Sequence, residues 1–375
     1  MRDSPIHVPA PARVGDAIGA IDTPALVLDL DVFETNLDRM QAWADRHGVG
    51  LRAHAKAHKC PEIALRQIAR GAIGICCQKV TEAVPFIQAG VADVLISNQV
   101  VGASKLDLLA ALTHHARMGV CVDNADNLHD IARAMQAADT QIDILVEIDV
   151  GQHRCGVSSP DEALHLARIA CDTSGLNLRG FQAYHGRVQH MRDPAARADV
   201  CRQVAQTIKT YADHLSAAGL PAIATVSGAG TGSAQFDAAS TVFTELQAGS
   251  YAFMDVDYNA NDWASELRFD TSLSLLSTVM SVATPGQVVL DAGLKAMTTE
   301  SGLPRVMQRE GLSVRQVNDE HTVLDVASHA PALGEKVHLM LPHVDPAFNL
   351  HDVVIGVRDG RVEAIWPIAA RGPGR

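Results

Sequence analysis

The stretch LRAHAKAHK, Leu51 to Lys59, concentrates five basic residues in nine positions. Arg52, His54, Lys56 and His58 alternate with Leu51, Ala53, Ala55 and Ala57. On an extended strand alternate side chains share a face, so the four basic groups point the same way. A lysine held among other cations in a partly desolvated place has its pKa lowered. Its neutral amine can then form a Schiff base with a carbonyl compound. A solvated basic edge, or the start of an alanine-rich helix, is an equal alternative for Lys56 taken alone. Two further stretches suit an anion. SGAGTGS carries Ser227, Gly228, Gly230 and Thr231, and QAGSY carries Gly249, Ser250 and Tyr251. Glycine turns present backbone N–H groups and the hydroxyls add donors, so both can cradle a phosphate. In PHVDPAF, His343 and Asp345 are two residues apart and share a face on extended backbone. An imidazole and a carboxylate suit a divalent cation whose other positions are filled by water. On spacing alone, a surface histidine and a capping aspartate explain the pair as well.

The rest of the chain supplies elements that would hold these groups. The chain has 375 residues, 47% hydrophobic and 20% charged, enough for a sizeable core. Its net charge of −12 argues against a general nucleic-acid binder and makes the basic stretch stand out. Seven cysteines with no CxxC pair point to a reducing compartment, without a disulfide framework or structural zinc. No signal-type apolar segment opens the sequence, and no apolar run reaches the ~18 residues of a membrane span. These features predict a soluble, cytoplasmic enzyme.

From residue 49 short β-rich runs alternate with amphipathic segments. Strands are predicted over 50–56, 72–78, 93–98, 118–124, 142–150, 178–184, 222–228 and 242–248. Segments such as CPEIALRQIARG and SPDEALHLARIACD read as the helices between them. Eight βα repeats predict a closed (β/α)8 TIM-type barrel over residues 31–255. After 255 the rhythm becomes strands without long helices: 274–282, 287–293, 312–319, 321–326, 335–342 and 351–368. This predicts a C-terminal antiparallel β domain over 256–375, and Asp359-Gly360 marks a hairpin turn within it. Residues 1–30 form an N-terminal segment whose strand, TPALVLDL, joins that domain. AARGPGR reads as a frayed tail. In such a barrel, chemistry sits at the C-terminal ends of strands and phosphate is often bound after strands seven and eight. Lys56 ends the first strand, and the two glycine loops follow the seventh and eighth. A Schiff-base lysine facing a phosphate cup indicates pyridoxal 5'-phosphate (PLP).

The blocks TPALVLDLDVFETNL, RAHAKAHK, CCQKVTEA, VEIDVGQHRCGV, QAYHG, VSGAGTGS, TELQAGSYAFMD, DAGLKA and HVDPAFNLHD occur in one order along the chain. Over residues 22–370 the sequence resembles the D-threonine aldolase and 3-hydroxy-D-aspartate aldolase group. That group belongs to the alanine-racemase-like, fold-type III PLP enzymes, with D-serine dehydratases as relatives. The resemblance implies Lys56 as the lysine that carries PLP. It implies a phosphate cup from Ser227, Gly228, Gly230, Thr231, Gly249, Ser250 and Tyr251, and places Arg154 near the cofactor phenolate. Gln78 and Tyr184, at strand ends, look like cofactor- or substrate-facing residues, with polar packing in the barrel as the alternative. It also implies that His343 and Asp345 hold a metal. Aspartate at the second position, where the dehydratases have cysteine and zinc, favours magnesium or manganese, with zinc possible. His351 and Asp352 read as structural, with a supporting role behind the metal as the alternative.

The implied activity is retro-aldol cleavage of a D-3-hydroxy-α-amino acid by a homodimer. The metal would acidify the β-hydroxyl, and either His185 or hydroxide at the metal would take its proton. The products are glycine and glyoxylate from 3-hydroxy-D-aspartate, or glycine and acetaldehyde from D-threonine. A side-chain carboxylate would need a cation, for which Arg187, His190 and the neighbouring His54 are candidates. A D-serine or D-3-hydroxyaspartate dehydratase is the nearest alternative. An amino-acid racemase, a non-catalytic PLP-binding protein and a PLP-free Schiff-base aldolase acting on a sugar phosphate are more distant ones.

Overall fold

The computed structural model describes residues 8–263 and 267–375. Eight parallel strands follow one another into a closed barrel. They are Gly50–His54, Gly74–Cys77, Asp93–Ile96, Arg117–Val122, Ile142–Glu147, Leu176–Ala183, Thr225–Gly228 and Glu245–Leu246. Closure comes from Gly50 pairing with Glu245 and Leu51 with Leu246. The intervening helices start where the sequence caps them. Asn124 accepts the Asn127 N–H, and Ser159 and Glu162 form a reciprocal capping box ahead of Pro160–Asp172. The strands are buried on both faces, as a parallel barrel wrapped by helices requires.

Several strands are shorter than their apolar runs predict. The first stops at His54, and a 3-10 turn, Ala55–Ala57, carries Lys56 out of the ladder. The eighth is only Glu245–Leu246, because the chain then turns into the loop at Gly249. The four-cation face of the sequence therefore does not form. Arg52 points into the closed end of the barrel, where it is 2% exposed. There it binds Glu245 Oε2 at 2.9 Å and Asp93 Oδ1 at 2.6 Å. Arg179 joins from the sixth strand, 2.8 Å from Asp143 and 3.1 Å from Glu245. The space left among these groups is ≈10 Å3, about one water, so this end is a packed ionic plug.

Nine strands form the second sheet. Ala25–Asp29 lies inside it, antiparallel to Leu273–Ser281 and parallel to Val353–Arg358. The hairpin Val353–Arg358/Arg361–Pro367 turns at Asp359 and Gly360, both at positive φ (49° and 72°), as a type I′ turn demands. A feature the strand pattern does not predict is the helix Val344–Leu350. His343 is its extended N-cap and Asp345 lies in its first turn, so the two are not on one strand face. Asp345 suits the positive end of the helix, and Pro346 is tolerated there because first-turn N–H groups have no helical partner.

The same core joins this helix to the barrel. Phe253 stacks on Phe33 at 6.0 Å and packs against Phe348 at 5.0 Å. The C-terminal tail is anchored and not frayed. Lys59 Nζ donates to the Gly372 carbonyl (2.7 Å) and to Asn349 Oδ1 (3.0 Å), and Thr81 Oγ1 accepts from the Arg375 N–H at 2.7 Å. Among the described residues no helix is long and apolar enough to cross a membrane.

The ionic plug makes a stability prediction. Replacing Arg52 by Met leaves buried carboxylates without their main cation, which costs about 3–5 kcal/mol. Urea unfolding should show this loss, and an unchanged midpoint would contradict the role of Arg52.

Candidate active site

The C-terminal end of the barrel is open where the other end is plugged. A cavity of ≈120 Å3, far more than a water needs, is lined by Lys56, Gln78, Arg154, Tyr184, Gly230, Thr231, Gly249 and Ser250, among others. Lys56 Nζ touches Asp345 Oδ2, which joins the barrel to the helix of the second domain. Burial disfavours the Lys56 ammonium, but Asp345 outweighs it, with help from Tyr184, so its pKa is raised. The sequence reading predicts the opposite, because it takes the neighbours for cations. Burial, then Lys56 itself, pushes His54 down to about 3, and burial pushes His58 down to about 3. Both are neutral imidazoles at ordinary pH. His58 is fully buried between Phe86 and Phe253, and its Nδ1 accepts the Cys60 N–H at 3.0 Å. Lys59 is held by Glu82 (3.0 Å), Asn349 and the tail. Of the basic stretch, only His54 and Lys56 line the cavity.

The glycine loops narrow the predicted anion cup. Gly230, Thr231, Gly249 and Ser250 face the cavity. A Cβ on Gly249 would fall 2.8 Å from the His54 carbonyl, so only glycine lets the backbone sit there, and one on Gly230 would fall 2.5 Å from Gln189 Oε1 and displace that side chain. Ser227 and Gly228 belong to the seventh strand and are buried, and Ser227 Oγ accepts from Gln247 Nε2 at 2.8 Å. Tyr251 contributes its backbone N–H, 3.0 Å from Thr231 Oγ1, while its ring lies in the core with its hydroxyl on Gln67. Gln189 props the loop from behind: it accepts from the Gly232 N–H (2.8 Å) and donates to Ser233 Oγ (2.9 Å). Nothing in its sequence spacing marks Gln189.

Across the cavity, His54 Nε2 lies 3.1 Å from Gln78 Nε2 and 3.1 Å from Ser97 Oγ. Arg154 stands over the Tyr184 ring at 5.8 Å. Gln182 and Gln247 exchange hydrogen bonds at 3.1 and 2.6 Å and line the floor with Ser97. These three sit at strand ends, so comparing the strand termini would have found them. His185 packs against Gly151, outside the cavity lining. Arg187 is exposed on a 3-10 turn, and His190 is paired with Asp257, which also holds Arg192. None of His185, Arg187 and His190 lines the cavity directly, and His190 packs against Tyr258, which does, at 6.0 Å between ring centroids.

At the mouth, His343 Nε2 lies 3.7 Å from Asp345 Oδ1, a buried oxygen without a hydrogen-bond partner. Burial works against the Asp345 carboxylate, yet Lys56 and His343 hold its pKa down to about 2. Glu300 Oε1 accepts from His343 Nδ1 at 2.8 Å. Asp255, fully buried, accepts the Tyr258 N–H at 2.8 Å and the Val344 N–H at 3.2 Å. Asp255 and Glu300 lie far from the His343–Asp345 motif in sequence, so its spacing could not reveal them. No group of three or more His, Cys, Asp or Glu suited to a metal occurs among the described residues. An ion here would have two protein ligands. His351 and Asp352 face elsewhere, to the Ala296 carbonyl and to Arg371.

Comparison with known proteins agrees with this arrangement. The profile of the alanine racemase N-terminal domain matches residues 28–257, and one of the serine dehydratase domain type matches 272–357. The chain is 58% identical to a D-threonine aldolase of Arthrobacter sp over 98% of its length and 97% of the relative's. It is 41% identical to the 3-hydroxy-D-aspartate aldolase of Paracoccus denitrificans, strain Pd 1222, over 97% and 96%. A crystal structure of D-threonine aldolase from Filomicrobium marinum superposes with a TM-score of 0.95 at 47% identity, covering 97% of this chain and 99% of that one.

The buried neutral His58 makes a pH prediction. Its folded pKa of about 3 lies below the ordinary ~6.5 of an unfolded histidine. As pH falls through that window the unfolded chain takes up the proton first, so stability is full above pH ~6.5 and declines towards 3. Asn at position 58 should remove about one proton from the slope of unfolding free energy against pH, roughly 1.4 kcal/mol per unit. Equal slopes between pH 6 and 4 for variant and wild type would contradict this.

Proposed function

This chain belongs to the alanine-racemase-like, fold-type III family of PLP enzymes, in the group of D-threonine and 3-hydroxy-D-aspartate aldolases, and from that membership we propose that it cleaves D-3-hydroxy-α-amino acids, D-threonine foremost, to glycine and an aldehyde. The observation that carries the proposal is the position of Lys56, which lines one cavity with the glycine loops and touches Asp345, itself 3.7 Å from His343. The residues fit PLP. Lys56 is the cavity's lysine, and Gly230, Thr231, Gly249 and Ser250 line it with a loop backbone that packs closely, since a Cβ on Gly249 would strike the His54 carbonyl and one on Gly230 would strike Gln189. They also fit a divalent cation, because Asp345 Oδ1 is a buried acceptor without a partner beside an imidazole nitrogen. Aspartate and imidazole suit magnesium or manganese more than a site with cysteine would.

PLP, when bound, supplies the electron sink that lets the Cα–Cβ bond part, and a divalent cation supplies Lewis acidity towards the β-hydroxyl. The protein's own part is to hold and orient. Lys56 would anchor the cofactor, Thr231 and the glycine loops would hold its phosphate, and Arg154 and Tyr184 would face it from the same lining. His343 and Asp345 would hold the cation, and the β-hydroxyl proton would pass to water as the Cα–Cβ bond breaks and the aldehyde forms. Cα then gains a proton to give glycine. His185 lies outside the cavity and is not proposed as the base. Arg187 and His190 do not line it either, and His54, which does, is a neutral imidazole, so none of the three candidates puts a positive charge there for a second substrate carboxylate. This favours D-threonine over 3-hydroxy-D-aspartate. A homodimer rests on family membership alone, and light scattering tests it.

Product analysis on D-threonine and both 3-hydroxyaspartate diastereomers, with and without chelator, tests the function. Glycine and acetaldehyde should appear, with the highest kcat/KM on D-threonine. Ammonia and a 2-oxo acid in place of glycine would replace the reading by a dehydratase, and a preference for 3-hydroxyaspartate would overturn the choice of substrate. Replacing His343 by Ala should cost at least ~100-fold in kcat and leave the visible cofactor absorbance in place. Full activity of that variant in chelator would contradict the metal assignment.

A further inference from the structure

We propose that Glu300 is a positioning residue for the metal pair: its carboxylate holds the His343 ring so that Nε2, and not Nδ1, faces Asp345. The inference rests on the metal reading of His343 and Asp345 given above. His343 Nδ1 lies 2.8 Å from Glu300 Oε1. A carboxylate only accepts, so Nδ1 carries the hydrogen, and in a neutral imidazole Nε2 then keeps its lone pair. That lone pair is on the side of Asp345 Oδ1, 3.7 Å away. Oδ1 is buried and has no other partner, so two acceptor atoms face each other with no hydrogen between them. Two bonds of about 2.1 Å reach across such a gap, so one cation satisfies both atoms.

The rest of the pair is fixed from the other side. Asp255 holds the Val344 N–H between the two ligands, and Phe348 packs the helix against Phe253. Without Glu300, nothing in this set chooses the imidazole tautomer or stops the ring from turning. Glu300 comes from residues 291–304, between two strands of the second sheet, and is itself 48% exposed. It does not face the cavity, so its effect passes through His343.

Titration of Mn2+ into PLP-loaded, chelator-stripped enzyme, with free Mn2+ read by electron paramagnetic resonance, tests this. Glu300→Ala should weaken Mn2+ binding about 10–100-fold, the usual cost of losing such a partner. Glu300→Gln keeps an oxygen that accepts from Nδ1 and should recover most of that affinity. Cofactor absorbance and Tm should match wild type in both variants, and excess Mn2+ should restore kcat/KM. Wild-type affinity in Glu300→Ala would overturn the assignment. So would a Glu300→Gln protein as weak as Glu300→Ala, since Glu300 would then act by charge and not by holding the ring. His343→Ala separates the two levels of the account. If it binds Mn2+ like wild type, the metal reading itself fails; if it loses binding while Glu300→Ala does not, only the role of Glu300 fails.

Discussion

The contact between Lys56 and Asp345 is the constraint around which the molecule is arranged. One charge leaves the first barrel strand on a 3-10 turn, and the other sits in the first turn of a helix almost three hundred residues later. Charges in a desolvated mouth are costly unless paired, so each domain must deliver its partner accurately. The packing of Phe33, Phe253 and Phe348 fixes the helix on the barrel, and Asp255 holds the backbone between His343 and Asp345. The strand Ala25–Asp29 pairs inside the second sheet, and the helix Leu30–His47 that follows it leads into the first barrel strand, so the start of the chain also ties the two domains together.

The barrel treats its two ends in opposite ways. At the closed end Arg52 and Arg179 are matched by Asp93, Asp143 and Glu245, and the space between them is filled. At the open end the polar groups are mostly neutral: His54, Gln78, Ser97, Gln182 and Gln247. A floor of neutral donors and acceptors leaves Lys56, Arg154 and the Asp345 carboxylate as the charges that define the mouth. That contrast explains how one short basic stretch serves both ends. Arg52 belongs to the plug, His54 and Lys56 to the cavity, His58 to the core, and Lys59 to the anchor of the tail.

The barrel was legible in the sequence because each strand and helix is specified by local periodicity, and eight of them leave few ways to close. Lys56 and the glycine loops were legible from residue type and from their place after particular strands. What sequence reading lost lies in pairings across the fold. Arg52 could not be assigned to the plug without knowing that Glu245 sits on the adjacent strand and Asp93 on the next strand but one. The histidines looked like cations because burial, which neutralises them, is invisible in a local window. Gln189, Asp255 and Glu300 act through contacts with loops distant in sequence. The helix Val344–Leu350 was missed because seven residues with a proline carry too little period to compete with flanking strands. The positions of His185, Arg187 and His190 could not be read from the sequence, because strand six ends at Ala183 and the path after it is set by distant contacts such as that of His190 with Asp257.

The central claim is that the lysine of the barrel and the metal pair of the second domain serve one site. Anomalous scattering at the manganese edge, from crystals of PLP-loaded protein grown with Mn2+, tests it directly. The account predicts one strong peak at about 2.0–2.3 Å from both His343 Nε2 and Asp345, at the mouth of the cavity that holds Lys56. A peak bound elsewhere, or none at the pair with Mn2+ in excess, would contradict it.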